Sequence, residues 1–215
     1  MRLRLRSLLR GLGIGLVVIA AMGVWFHFNP SRYEPVQIVR SSGEALIGGP
    51  FQLVNHHGTL VIDSDFRGRL MLVYFGFTFC PDVCPLDMAR LSAALDILEG
   101  RGADMSLIRA LFVTIDPARD SPRILNKFVS AFHPRLMGLT GSHAQIATIA
   151  AAYKVYYAKV PGEEGADYLM NHSNNIYVMG PDGKFISFFS SLDSPEVMAN
   201  ELSRLLQEVD FSDDQ

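Results

Sequence analysis

Two cysteines in 215 residues are too few for a disulfide-rich scaffold. Charged residues make up only 19%, which excludes a disordered chain or a coiled coil. A net charge of −3 gives no electrostatic footprint for nucleic acid. A glycine-rich phosphate loop, a Ser-His-Asp pattern and an internal repeat are also missing. The most informative gap is local: the first thirty residues contain no Asp or Glu. Arg2, Arg4, Arg6 and Arg10 give that stretch +4, which leaves 15 basic and 22 acidic residues, a net of −7, for the rest. What is present is an apolar fraction of 49%, ordinary for a packed domain.

Gly11 to Phe28 is free of Asp, Glu, Lys and Arg. Such a stretch lies near the lower end of the roughly 17–25 residues that span hydrocarbon. The arginines before it keep the N-terminus cytoplasmic by the positive-inside rule. Trp25, Phe26 and Phe28 gather at the far end, where an aromatic belt lies. The expected organisation is a cytoplasmic basic tail over 1–10, a transmembrane anchor over 11–28, a linker over 29–48 and a folded domain over 49–215. The expected location is a bacterial inner membrane, single-pass and N-in, with the domain in the periplasm. A signal peptide cleaved near Ala21-Met22-Gly23 is the alternative, and it sends the domain to the same side.

From Gly49 onward, strand and helix signals alternate. Residues 50–54 and 60–62 flank the turn-like Asn55-His56-His57-Gly58 and predict a hairpin. Leu70 to Phe75 and Ala110 to Ile115 are short apolar runs, suited to strands buried on both faces. Leu86, Leu91, Leu95 and Leu98 predict a helix over 85–99. Ser121-Pro122 opens a helix towards Phe132, Ser142 and Gln145 form a capping box towards Tyr153, and Ser194-Pro195 starts a last helix towards Val209. Residues 176–179 and 185–189 flank Gly180-Pro181-Asp182-Gly183 as a second hairpin. This order predicts an α/β, thioredoxin-like domain: a central mixed sheet with flanking helices.

The chemistry concentrates at Cys80 and Cys84, which follow the first buried strand and open a helix. Four residues apart at a helix start, they can approach closely, and the helix dipole favours a thiolate there. The spacing permits a redox disulfide, an inert disulfide or joint metal binding. His172 precedes the strand at Ile176, where a loop can face the cysteines. Two thiolates with one imidazole suit Cu(I), and Cu(II) or zinc can be accommodated. Spacing alone does not select His172 over His56, His57, His133 or His143. Met71, Met88 and Met198 read as core. Met170 reads as packing or as a weak extra ligand.

Three separated motifs carry a resemblance: Phe75 to Pro85 (FGFTFCPDVCP), Thr114 to Pro122 (TIDPARDSP), and Asn171-His172-Ser173 followed by Gly180 to Gly183 (GPDG). In this order and spacing the chain resembles the Sco/SenC family over Phe51 to Val209. That family comprises membrane-anchored, thioredoxin-like copper proteins of cytochrome c oxidase assembly. The resemblance implies one copper per chain, Cu(I) or Cu(II), held by Cys80, Cys84 and His172. It implies a metallochaperone rather than an enzyme, one that serves the CuA-bearing subunit of cytochrome c oxidase. An upstream copper donor and the inner membrane are its other implied partners. A thiol-disulfide reductase acting on the oxidase subunit's copper-site cysteines is the alternative. A peroxidase is a third reading, since F-x-x-C-P is also similar to peroxiredoxins. The family usually has Asp before the histidine, whereas this chain has Asn171. Asp82 and Asp116 are candidate carboxylates behind the ligands. For Asp116, Arg119 and Asp120 the competing reading is loop structure and a surface ion pair.

Overall fold

Seven successive residues, Leu70–Gly76 (β3), are all buried, as a strand covered on both faces requires. In the computed structural model, residues 46–161, 168–209 and 211 are described. The basic tail, the anchor over 11–28 and most of the linker lie outside the described residues. Among the described residues no helix is long and apolar enough to cross a membrane.

The first hairpin is present as β1 (Gln52–Asn55) and β2 (Leu60–Ile62). Its turn is fastened by the Asn55 side-chain oxygen, which accepts from the backbone N–H groups of His57 and Thr59. After β3 come α1 (Val83–Gly100), β4 (Ile108–Thr114), α2 (Pro122–Val129), β5 (Leu136–Thr140) and α3 (His143–Ala152). A short ribbon of β6 (Tyr157–Val160) and β7 (Leu169–His172) follows. The chain then forms β8 (Ile176–Met179), β9 (Phe185–Phe189) and α4 (Pro195–Glu208).

Seven strands make one sheet in the order β2-β1-β5-β4-β3-β8-β9. Strands β3, β4 and β5 are parallel, while β1, β8 and the hairpin partners run antiparallel. This is the expected central mixed sheet. Successive residues of β3 face opposite sides. Tyr74 stacks on Phe112, which meets Phe128 of α2, so α2 covers that side. Phe75 meets Tyr153, at the end of α3, and Tyr177, so α3 serves the other side. Helix α4 packs beside α1.

The predicted caps are in place. Ser121, Ser142 and Ser194 each accept from a backbone N–H of the first turn, and Gln145 closes the capping box with Ser142. Helix α2 ends at Val129 rather than running to Phe132. Ala131 and Phe132 donate only three residues back, to Phe128 and Val129, so the last turn tightens. Pro134 then disfavours a helical residue before it.

Candidate metal centre

The site starts where β3 ends. Gly76 lies on the same side of the strand as Tyr74. A β-carbon there would sit 3.0 Å from Cys84 Sγ, 3.0 Å from the Phe112 ring and 2.7 Å from the Tyr74 ring. Glycine at this position lets the first turn of α1 come down onto the strand. The loop from Phe77 to Asp82 is then held from below by Asp120, which is fully buried. Its carboxylate accepts from the Thr78 backbone N–H (3.0 Å), the Thr78 hydroxyl (2.6 Å) and the Thr114 hydroxyl (2.6 Å). Burial pushes its acidity towards the neutral form, against those three hydrogen bonds.

Cys80 is half-buried in that loop and Cys84 is buried in the first turn of α1; both are free thiols. The Cys84 backbone N–H donates to Cys80 Sγ at 3.4 Å. The hydrogen bond from the Cys84 thiol lowers Cys80 most, to about 4, aided by His172 and by the backbone N–H groups of Cys84 and Asp82 against burial. That same bond, together with burial, pushes Cys84 up. The two shifts run in opposite directions, which makes Cys80 the more acidic of the pair.

His172 Nε2 lies 3.4 Å from Cys84 Sγ. Its other nitrogen, Nδ1, is 2.9 Å from the Ser173 carbonyl oxygen, which can only accept. Nδ1 thereby carries a proton, and Nε2 is the ring nitrogen turned to the sulfurs. The ring stands edge-on to Tyr74 and Phe77, which limits its rotation. Cys80 Sγ, Cys84 Sγ and one ring nitrogen of His172 all lie within 4.8 Å of one another. Two sulfurs and an oriented imidazole can hold one soft metal ion.

His172 is the last residue of β7, not part of a loop before β8. Alternation along β7 puts Met170, which is buried, on the same side as His172, and Leu169 and Asn171 on the exposed side. Asn171 nevertheless lines the same cleft as Cys80 and His172. Asp82 is exposed, and its carboxylate makes no capping bond, although its backbone N–H supports Cys80. Asp116 is buried and accepts from Arg119 Nε and from the Tyr168 hydroxyl (2.8 Å). Its ion pair with Arg119 is thus interior rather than on the surface.

Tyr74 and Asp87 escaped the sequence analysis. The Tyr74 hydroxyl donates to the buried Asp87 carboxylate at 3.1 Å beneath the cysteines, and Arg90 pairs with the other oxygen. Burial raises Asp87, partly offset by Tyr74 and Arg90. The helical spacing of Asp87 after Cys84 was the available signal. Tyr74 had none, because aromatic residues in a buried strand are ordinary core.

A second trio, Asp96, Glu99 and His133, also converges. There, the Arg135 N–H donates to His133 Nδ1 at 3.1 Å, so Nε2 carries the proton. That N–H faces Asp96 at 3.8 Å and Glu99 at 3.6 Å, so a ring proton, and not a lone pair for a metal, is turned to the carboxylates.

A family model described as SCO1/SenC matches residues 39–207. The human protein SCO2 homolog, mitochondrial, is 37% identical over 206 residues, 94% of this chain and 75% of its own length. ScoI of Bradyrhizobium japonicum, solved with copper bound, superposes with a TM-score of 0.68 at 41% identity and covers 74% of this chain and 98% of that one. Yeast Sco1 with copper bound gives 0.70 at 32% identity, over 76% of this chain and 90% of that one. The three converging donors thus sit in a fold shared with copper-bound relatives, and the chain belongs to the SCO1/SenC family.

Proposed function

We propose that this protein binds one copper ion per chain through Cys80 Sγ, Cys84 Sγ and His172 Nε2, and delivers it to the CuA-bearing subunit of cytochrome c oxidase. The carrying observation is the convergence of these three donors within 4.8 Å, with Nε2 already turned to the sulfurs. The copper-bound relatives support the choice of metal. Cys80 supplies a ready thiolate, and Cys84 gives up its proton as copper enters. A site with few ligands leaves an approach for a partner's thiolate, so copper leaves by stepwise ligand exchange. The cleft between the cysteine loop and β7, about 310 Å³, offers that approach. Copper arrives from an upstream donor.

The asymmetry of the two thiols favours a second role, reduction of the partner's copper-site disulfide. The Cys80 thiolate attacks one sulfur of the partner disulfide, breaking its S–S bond, releasing the other sulfur as a thiolate and forming a mixed disulfide. Cys84 passes its proton to the released thiolate and attacks Cys80 Sγ, breaking the mixed disulfide and expelling the remaining partner thiolate, which takes a proton from water, leaving a Cys80–Cys84 disulfide and a partner dithiol. His172 separates the two roles, because exchange at the cysteines does not need it. His172→Ala is expected to weaken copper binding by more than about tenfold, the least that a lost supporting partner costs a metal site. It should also impair oxidase assembly at low copper supply. Copper competition and oxidase activity in a complemented deletion strain read the two. Full oxidase rescue by a variant that binds copper poorly would transfer the function to the reductase.

The proposed N-in anchor over 11–28 in a bacterial inner membrane, with the domain in the periplasm, rests on the arginine cluster before Gly11. A reporter fused after Gln215 should work only if it functions outside the cytoplasm. Activity of a strictly cytoplasmic reporter at that position would reject the topology.

A further inference from the structure

The strand that brings His172 to the cysteines does not belong to the main sheet. Strands β6 and β7 form a two-stranded ribbon of their own, and no ladder joins them to the seven-stranded sheet among the described residues. At its base, Tyr157 pairs with His172; at its tip, Val160 pairs with Leu169. The base is tied down: the Val155 N–H donates to Ala150, at the end of α3, and the chain runs on from His172 into β8. The tip needs another fastening, because a free two-stranded ribbon is marginal in water.

That fastening comes from Arg119, in the loop between β4 and α2. Its Nη1 donates to the Tyr168 carbonyl oxygen at 2.9 Å, just before β7. Its Nε donates to Asp116, whose other oxygen accepts from the Tyr168 hydroxyl. The guanidinium carbon lies 3.8 Å from the Tyr168 ring centroid and 4.9 Å from that of Phe79. Phe79 is the residue before Cys80. Arg119 therefore sits between the ribbon that carries His172 and the loop that carries Cys80, and touches both. Its side chain is 13% exposed and that of Asp116 is 1%, so water does little to weaken these contacts. Two donors in fixed directions and a flat face for stacking are properties of guanidinium, not of ammonium.

We infer that Arg119 is a positioning residue for copper capture: it sets the width of the cleft between the Cys80 loop and the His172 ribbon. This rests on the ligand set proposed above. The cleft is walled by Leu169, Met170 and His172 on one side and by Cys80, Pro81 and Val83 on the other. With the tip released, the ribbon tilts about its base and Nε2 leaves the sulfurs. Copper then keeps both thiolates and loses the imidazole.

The test uses the reduced full-length protein in detergent, with two measurements. Amide hydrogen exchange is followed without metal, and Cu(I) affinity is followed by competition. Arg119→Ala should speed exchange of the β6 and β7 amides while β3 and β4 stay protected. It should weaken copper about tenfold, as loss of a supporting contact does. In a His172→Ala background the same change should cost less than about twofold, because the two substitutions remove one interaction. Arg119→Lys should not restore affinity, and Tyr168→Phe should give a smaller loss than Arg119→Ala. Unchanged β6 and β7 exchange, full affinity in Arg119→Lys, or an equal loss with and without His172 would each overturn the inference. If His172→Ala leaves affinity untouched while Arg119→Ala still frees the ribbon, the ligand assignment falls and the clamp stands.

Discussion

Cys80 and Cys84 lie four residues apart in the sequence, and their acidities are shifted in opposite directions. The Cys84 hydrogen bond brings Cys80 down to about 4, and Cys84 itself is pushed up. For an acid group held low, the charged form persists until the pH falls to the lowered value. Cys80 therefore stays a thiolate throughout the neutral range. An ordinary thiol near 8.5 gains nearly two orders of magnitude in thiolate between about pH 6 and 8. We expect iodoacetamide to label Cys80 first in the reduced, metal-free protein, at a rate nearly flat over that range. Mass spectrometry of the labelled peptide and a rate profile check both points. Preferential labelling of Cys84, or a rate that climbs with pH as for a free thiol, would contradict the assigned asymmetry. The sequence indicated a lowered thiol at a helix start. It did not indicate which one, because the choice depends on the burial of Cys84 against Tyr74 and Gly76. His172 was reached through the family's motif alone. What distinguishes it physically from His133 is the partner of Nδ1, a carbonyl in one case and an N–H in the other.

Among the elements, those with a strong local signal were legible. The runs at β3 and β4 and the serine caps of α2, α3 and α4 agree with the structure to within one or two residues at the starts. Three strands were not. Strand β5 reads Leu-Met-Gly-Leu-Thr, and Gly138 breaks the apolar run that would mark a buried strand. The glycine is there because a β-carbon would lie 3.1 Å from Leu125 and 3.2 Å from Val129, where α2 packs closely. Half of the β6–β7 ribbon is exposed and only Met170 is buried, so neither strand carries an apolar run. Its signal is the pairing between Tyr157 and His172, which a single sequence does not display. The same gap hid the partnership of Tyr168 with Arg119. Thr114 to Pro122 was recognised as a motif, but its work, holding a ribbon fifty residues away, exists only in three dimensions. Local elements follow from local physics, whereas the third donor reaches the site through tertiary contacts.

At the scale of the whole molecule, the proposed ligand set would couple copper binding to folding unequally. The cysteines are close in sequence, so an unfolded chain still offers a CxxxC pair to Cu(I). His172 is 88 positions from Cys84 and joins the pair only when β7, β3 and α1 are assembled. A ligand stabilises a fold only through its preference for the folded form. At a free concentration of a hundred times Kd the full linkage is about 2.7 kcal/mol, reduced by whatever the unfolded chain binds. The part that survives is carried by His172 and by the preset position of the two sulfurs. Reduced protein should therefore gain thermal stability with Cu(I), and the gain should shrink in His172→Ala. The disulfide form should gain almost nothing, since oxidation removes both soft donors. Closing so short a loop also adds little stability of its own, so the oxidised and reduced metal-free forms should melt close together. Calorimetry of wild type and His172→Ala, each with and without copper and in both redox states, reads every term. An equal copper-induced shift in wild type and His172→Ala would mean that the imidazole is not a ligand in the folded protein. An equal shift in the oxidised form would place copper away from the cysteines altogether.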